Sequence, residues 1–483
     1  MDNSSFVFTK CCFKSDRLLG LLAKSDIGFY LESSLDTHNL GRYSFFGLEP
    51  FLTVQFKNGL IIQEENGTKK IFQGNIFEKL RYLLNKYRLD TQDKKINLPF
   101  LGGAVGFLSY DLGFCLEKIS RKNTDDLNIP DLWLAFFDVI LCIDHYQDKI
   151  LIFSSGFPET KPSLRKKRAG ERLKYFINKL RNFEEKNADI SLENYSYQDY
   201  KLVSNFSYSD YIKAVNESLD YIIKGDIYQI NLSQRFYTET DLSSEHLYTN
   251  LRSVFPVPFG GLLKTRDFSI ISGSPERFLK FDGKFLTTRP MKGTRQRSQN
   301  RILDMKFRKS LENSKKDKAE LLMIVDLERN DLGRVCDYGS VKVETLRNFE
   351  EYSTVFQTTS QIKGKLYPQM DRIDIIKACF PGGSITGCPK IRAMQIIEEL
   401  EPNRRGIYTG SLGYFSFSGT MDFNILIRSF LKKGKDIYFG VGGGIVYDSR
   451  PQSEYQETLV KAEALKRALK ASHRGTIAAM VNR

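Results

Sequence analysis

Over the first 153 positions apolar residues come in short runs, each cut off by glycine: GFYLESS, GRYSFFG, FLTVQF, GLIIQ, LGGAVGFLSYDLG and LWLAFFDVILCID. Runs of this length bounded by turn residues predict β-strands. One stretch breaks the rhythm: over 76–87, Ile76, Leu80, Leu83 and Leu84 recur at helical spacing and predict a helix. The pattern as a whole is that of an α+β unit with antiparallel sheet.

The pattern then changes. The segment 163–186, SLRKKRAGERLKYFINKLRNFEEK, is a highly charged helix candidate, and 187–205 is polar and irregular. These features divide the chain into an N-terminal region 1–160, a charged helix and linker 161–205, a second region 206–470 and a loose tail 471–483. In the second region, Ser209 can cap a helix lined by Tyr211, Val215, Leu219 and Ile222 and ended by Gly225. A strand, DIYQINLSQRF, and a helix over 244–253 follow, then strands near 268–272 and 278–281. A long helix over 314–332 leads to strands through 341–362, a helix over 372–379, the turn PGGSITGCPK and a helix over 391–400. The strands YTGSLGYFSFSG, FNILIRSFL and IYFGVGGGIV come next, before a last helix over 453–470. No internal repeat appears.

At 483 residues, 41% hydrophobic and 27% charged, the chain has the composition of a soluble globular protein with room for two or three average domains. No apolar run is long enough to span a bilayer, and 1–20 is interrupted by Lys10, Lys14, Asp16 and Arg17, so the expected compartment is the cytoplasm. The seven cysteines, Cys11, Cys12, Cys115, Cys142, Cys336, Cys379 and Cys388, form no C-x-x-C pair, which argues against zinc or a disulfide framework. Only His38, His145, His246 and His473 are available for imidazole chemistry. The net charge of +14 suits an anionic partner. Its lysines and arginines are dispersed without a nucleic-acid motif, and a small anionic substrate accounts for the charge equally well.

Four features carry candidate chemistry. In 287–297, TTRPMKGTRQR, Lys292 stands among Arg289, Arg295 and Arg297, with Lys284 upstream. Like-charge repulsion there would favour the neutral amine of a nucleophile, although the same run also describes a basic surface loop. Asp317 with Glu320, and Glu454 with Glu457, are two carboxylate pairs at helical spacing on separate helices. Converging, they would suit Mg2+; apart, they are ordinary solvated faces. The glycine clusters FPGGSITG and FGVGGGIV offer backbone N–H groups to an anion, or are tight turns. Arg428, at the end of an apolar strand, needs a carboxylate from a substrate or from the protein, and Glu276 in SGSPERF could meet Lys292 through a hairpin-like return.

The order of these motifs resembles the chorismate-utilising enzymes: GDIYQINLSQR, SGSPERF, RPMKGTR, KAELLMIVDLERNDLGRVC, FPGGSITGCPKIRAMQIIEELEP, RRGIYTGSLGYFS, FNILIRS, VGGGIVYDS and EYQETLVKAEAL. The N-terminal runs LESS, GRYSFFG and GGAVGFLSYDLG are similar to those of the anthranilate synthase and aminodeoxychorismate synthase large subunits. The resemblance implies an α+β fold of two large antiparallel sheets packed together with helices outside and the active site between them. Where water-adding members carry a lysine base this chain has Gln229, which points to the ammonia users. Where anthranilate synthases read PIAGT and aminodeoxychorismate synthases PIKGT, it reads PMKGT.

Carried over by motif, Glu320 and Glu457, with Glu454 and Asp317, would hold Mg2+. Glu276 would protonate the departing C4 hydroxyl, and Lys292 would attack C2 of chorismate. Gln229, Gly293, Thr294, Thr386, Gly387, Tyr408, Arg428, Gly442, Gly443, Gly444 and Lys461 would contact substrate. The implied product is 4-amino-4-deoxychorismate, a folate and p-aminobenzoate precursor. Ser33, Arg42, Tyr43, Ser44, Phe45, Pro258, Phe259 and Gly260 match the tryptophan pocket of relatives. Two features depart from the family. Gln357 replaces the histidine of V-x-H-L-V-S, tied in anthranilate synthases to pyruvate elimination, and PMKGTRQRS differs from the usual TRPRG after the lysine. No G-x-C-x-G elbow occurs, the nearest candidate around Cys115 lacking its second glycine, so ammonia is expected from a separate glutamine amidotransferase subunit. No nucleic-acid or membrane partner is expected. The competing readings are an anthranilate synthase large subunit with an unusual lysine, and a non-catalytic basic binding protein.

Overall fold

Two antiparallel sheets of 12 strands each organise the computed structural model, which describes residues 7–11, 17–34, 40–65, 67–89, 98–186, 200–352 and 355–470. The stretch 187–199 and the tail 471–483, read as irregular and loose, lie outside the described residues, as do Cys12, His38 and His473. The centre of the first sheet runs Gly28–Glu32, Phe259–Lys264, Ser269–Ser274, Ser429–Lys433, Asp436–Ile445 and Gln229–Glu239. The second runs Met291–Gln296, Val355–Lys365, Phe285–Arg289, Arg277–Phe281, Met421–Asn424, Ser411–Ser416, Gly103–Leu108 and Leu132–Phe137. Each sheet takes strands from either side of the charged helix Pro162–Lys186. The fold is α+β, two large antiparallel sheets packed together with helices.

Side-chain alternation explains why the strands read as continuous apolar runs. In Val139–Asp144, Ile140 and Cys142 join the core between the sheets, whereas Val139, Leu141 and Ile143 pack under the helices covering the first sheet. A strand buried on both faces has no polar side to display. The sheets meet through aromatic contacts such as Phe29 with Phe137 and Phe45 with Tyr414, at centroid distances of 4.8 and 5.8 Å. No helix of the described residues is long and apolar enough to cross a membrane.

Three local features differ from the sequence reading. The helix Tyr208–Ile223 is capped by Ser207, whose hydroxyl accepts from the Asp210 N–H at 3.1 Å, so Ser209 falls inside the first turn. A helix unforeseen in the sequence spans Arg301–Asn313. Leu311 is its one buried residue, although Leu303, Phe307 and Leu311 recur at helical spacing along it. The run FNILIRSFL is two strands in different sheets, Met421–Asn424 and Ser429–Lys433, joined by a crossing that contains Arg428 at φ 50°. Arg428 is therefore in a connection and not at a strand end. An apolar run gives no sign of a change of sheet when both sheets are buried.

A second crossing, from Ser269–Ser274 to Arg277–Phe281, contains Glu276. The two crossings lie side by side: Ile425 donates its N–H to the Glu276 carbonyl at 3.0 Å, and Gly273 to that of Arg428 at 3.1 Å.

Candidate active site

Lys292 is the second residue of Met291–Gln296 and faces Thr358 across the ladder. The register shifts between Lys292 and Thr294 at Gly293, which has φ 74°. A Cβ there would come within 2.8 Å of Leu311 Cδ1, so the kink needs glycine both for its conformation and for the close approach of Leu311. The Lys292 amine donates to the Ser384 carbonyl at 3.3 Å, and the Ser384 hydroxyl donates to Glu276 Oε1 at 2.7 Å. The hairpin register Arg277↔Arg289 brings Glu276 to the Met291 N–H, which also donates to its carboxylate. Amine and acid thus meet around one serine.

Burial lowers the Lys292 pKa, and the neighbouring cation that adds to this is Lys461; Glu320, Glu276 and Glu457 oppose it. The arginines credited from sequence with this effect are answered by their own partners. Arg289 pairs with Glu350, Arg295 with Asp317 at 2.7 Å and Arg297 with Asp304 at 3.0 Å, while Lys284 is exposed. Burial also pushes Glu276 up to about 7, against the pull of Ser384 and Lys292. A carboxyl that holds its proton near neutrality beside an amine disposed to lose one is suited to acid and nucleophile roles.

The first sheet supplies the opposite wall. A Cβ on Gly444 would lie 2.7 Å from Gln229 Nε2 and 3.5 Å from Lys292 Nζ, and one on Gly443 would lie 3.3 Å from Glu454 Oε2. These glycines keep the wall open to the groups around it. The Gly442 carbonyl accepts from Lys461 at 2.9 Å, and Tyr408 lies against Gly440 and Gly442. Thr294 accepts from Gln357 Nε2 at 3.3 Å. The side-chain amide oxygens of Gln229 and Gln357 are buried without a hydrogen-bond partner among the described residues. Arg428 stacks on Phe255 at 4.5 Å, and burial lowers its pKa to about 10; it has no salt bridge among the described residues. The Thr386 hydroxyl donates to Gly382 O at 2.9 Å, and Gly387 pairs with Ile230, so both build the turn behind Ser384.

The carboxylates can be tested against Mg2+. Among the described residues no group of three or more His, Cys, Asp or Glu is disposed to hold a metal alone. Mg2+ characteristically takes one or two carboxylates together with water and an anionic substrate. Glu320 and Glu457, on different helices, interact with each other and with Lys292, so they border one space. Lysines balance both, Lys316 at 3.7 Å from Glu320 and Lys461 at 2.7 Å from Glu457. Glu454 takes a hydrogen bond from Ser449 at 2.7 Å, and burial raises its pKa. This donor set fits Mg2+ at Glu320 and Glu457 with Glu454 beside them, whereas Asp317 is closed by Arg295.

The residues matched to a tryptophan pocket lie elsewhere. Ser33, Arg42, Tyr43, Phe45, Pro258, Phe259 and Gly260 line a cavity of about 460 Å3, together with Arg277, Asp422 and Asn424. Ser44 lies behind it, 2.7 Å from His145 Nε2.

Two residues of the site escaped the sequence reading. Ser384 sits in a glycine turn whose side chains gave no cue. Glu328 was legible: it falls on the buried stripe of the helix Lys315–Gly333 with Leu321, Ile324, Val325 and Leu332, a carboxylate in apolar register. Burial and Glu276 push it up to about 8, and Thr288 is hydrogen-bonded to it at 2.8 Å.

Comparison with known proteins shows the family. The model of the chorismate binding enzyme family matches residues 35–467. Aminodeoxychorismate synthase component 1 of Bacillus subtilis (strain 168) is 38% identical over 445 residues, covering 92% of each chain. Anthranilate synthase component 1 of Acetivibrio thermocellus is 36% identical over 453 residues, covering 92% of this chain and 90% of its own. Among solved structures, anthranilate synthase component I from Streptococcus pneumoniae TIGR4 superposes with a TM-score of 0.77 at 31% identity, over 89% of this chain and 93% of its own. With its fold, its motif order and its match over nearly the whole length, the chain belongs to the chorismate binding enzyme family.

Proposed function

We propose that the chain is the chorismate-aminating subunit of an aminodeoxychorismate synthase, a cytoplasmic enzyme of folate and p-aminobenzoate formation that converts chorismate and ammonia to 4-amino-4-deoxychorismate and water. The observation that carries the reading is the buried Lys292 amine hydrogen-bonded to Ser384, whose hydroxyl holds Glu276. The amine bonds to C2 of chorismate as both ring double bonds shift along the diene and the C4–O bond breaks, and the Glu276 proton leaves with that oxygen as water. Ammonia then bonds to C4, the bond from C2 to Lys292 breaks, and one proton of the new ammonium returns to Glu276. Two displacements place nitrogen on C4, where direct attack at C2 leads towards anthranilate.

Arg428, with no carboxylate partner among the described residues, is available for a carboxylate of the substrate, and Thr294, Tyr408, Gly442, Gly443 and Gly444 shape the wall around the ring. Glu320, Glu457 and Glu454 would hold Mg2+, which when bound supplies positive charge to the ring carboxylate. Gln357 cannot ionise, which suits an enzyme that keeps the enolpyruvyl group. The sequence offers no glutaminase elbow, and the Bacillus relative is a component 1, which supports a separate amidotransferase as the ammonia source.

The relative from Acetivibrio favours a second reading, anthranilate synthase. Chorismate, Mg2+ and ammonium chloride incubated with the protein decide between them. We expect 4-amino-4-deoxychorismate by mass spectrometry; fluorescent anthranilate formed without an added lyase overturns the first reading.

A further inference from the structure

We propose that Glu328 is a positioning residue for Glu276: a carboxylic acid that keeps its own proton and, through the Thr288 hydroxyl, steadies the backbone that carries Glu276 into the site. The inference rests on the reading of Glu276 as the acid that protonates the departing hydroxyl. The Thr288 hydroxyl lies 2.7 Å from the Phe278 carbonyl oxygen and 2.8 Å from Glu328 Oε2. A hydroxyl carries one hydrogen, and a carbonyl can only accept it. With that hydrogen on Phe278, the contact to Glu328 is a hydrogen bond only if Glu328 is the donor. An ionised Glu328 would compete with Phe278 for the same hydrogen. Phe278 needs it, because it is buried and both ladders skip it. Pairing with Phe285–Arg289 shifts register between Arg277 and Lys280, and pairing with Met421–Asn424 shifts between Arg277 and Leu279. Glu276 stands two residues before this bulge.

The surroundings suit an uncharged group. Glu328 is buried on the helix Lys315–Gly333 and has no salt bridge among the described residues. The cation that acts on it is Lys390, from the helix Lys390–Leu400. That amine is already taken by Asp331 at 2.6 Å and by the Cys379 carbonyl at 3.0 Å. The other charged groups facing it are carboxyls, Glu276 and, on its own helix, Asp331. Glu328 also lies against the second support of Glu276: a Cβ on Gly383 would be 3.6 Å from Glu328 Cγ, and the next residue, Ser384, donates to Glu276. Burial, then Glu276, push Glu328 up to about 8. Burial brings Glu276 to about 7 against Ser384, Lys292, the Met291 N–H and Lys461. Glu276 therefore ionises first, with Glu328 still neutral beside it. The order matters to the chemistry, because Glu276 becomes a carboxylate when it gives up its proton, and a charged neighbour would oppose that step.

The test uses Glu328→Gln, whose amide keeps a donor for Thr288 and cannot ionise, and Thr288→Val, which removes the link and keeps both carboxyls. With chorismate and ammonium chloride, Glu328→Gln should hold kcat/KM within about threefold of wild type, its alkaline limb still near 7. Thr288→Val should lower kcat at least about tenfold with KM for chorismate little changed. If Glu328 were ionised in the native protein, neutralising it would lower the Glu276 pKa and move the alkaline limb of Glu328→Gln to lower pH. That shift, or an unchanged kcat in Thr288→Val, would overturn the proposal. Infrared spectroscopy reads the proton without turnover. Between pH about 7 and 8, the spectrum of wild type minus that of Glu328→Gln should contain the carbonyl stretch of a free carboxylic acid, and a carboxylate band in its place overturns the proposal by itself. If wild type does not consume chorismate with ammonium, the amination reading fails, and the infrared difference still decides whether Glu328 is the donor to Thr288.

Discussion

The Lys292 site and the 460 Å3 cavity are neighbours separated by a single peptide: Glu276 belongs to one and Arg277 to the other. Their polar groups are treated in opposite ways. In the cavity, charge is matched. Arg277 grips Asp422 through two bonds of 3.0 and 3.1 Å, Arg42 holds Asp144 at 2.9 Å, and Glu32 receives Tyr248 at 2.8 Å and Arg252 at 2.9 Å. In the site it is not: Lys292 is bonded to a backbone carbonyl, Arg428 has no carboxylate among the described residues, and two glutamine oxygens are orphaned. Matched groups stabilise a shape, and unmatched ones are costs the fold carries for a ligand that answers them.

The sharpest way to break this contrast is Lys292→Ala. A nucleophile's removal should lower kcat on the order of 10^4-fold while the melting temperature stays level or rises, because a desolvated amine is lost. A variant that unfolds without losing turnover per folded molecule would make Lys292 structural. Glu276→Gln comes next, with kcat/KM reduced roughly 10^3-fold. In wild type the acid form needed for catalysis disappears as pH rises through about 7, giving an alkaline limb that the glutamine variant lacks. Stability follows the same titration. The folded pKa lies above the unfolded carboxylate value, so the contribution is complete below that value and fades as pH climbs through about 7. Wild type should lose up to about 3 kcal/mol over this window that Glu276→Gln retains, read from urea denaturation at pH 5 and pH 9.

Across the shared wall the expectation reverses. Arg277→Ala leaves Asp422 without its partner and should remove roughly 3 kcal/mol of unfolding free energy, with kcat reduced far less than in Glu276→Gln. If turnover falls as far as in the acid variant, the two regions are one functional unit and the contrast between them is wrong.

Sequence pattern was most informative where one residue type has one use. Apolar runs cut by glycine gave the strands, and the spacing of Ile76, Leu80, Leu83 and Leu84 gave a helix observed over Ile76–Lys86. Pattern was silent where tertiary packing decides. Nothing in FNILIRSFL marks the change of sheet that sets the Arg428 carbonyl against the Gly273 N–H. Local charge also misled, because counting arginines near Lys292 in the chain says nothing of the carboxylates that meet them in space. Glu350 is 61 residues from Arg289, and Asp317 is 22 from Arg295.

That last point yields the smallest predicted effect and the most specific test of how the amine is activated. If repulsion from the arginines of 287–297 lowered the Lys292 pKa, removing one should raise it and shift the acidic limb of kcat/KM to higher pH. The structure instead assigns the effect first to burial and then to Lys461. Arg297 is tied to Asp304 through paired hydrogen bonds and stacks on Phe356 at 4.4 Å, so its charge is answered locally. Arg297→Ala should therefore change kcat/KM by less than about threefold and leave the acidic limb in place, since a partly exposed ion pair is weakly coupled to its surroundings. Lys461→Met, which removes the cation acting on the amine, should move that limb where Arg297→Ala does not. A shift in the arginine variant and none in the lysine variant would return the nucleophile's activation to the crowded loop.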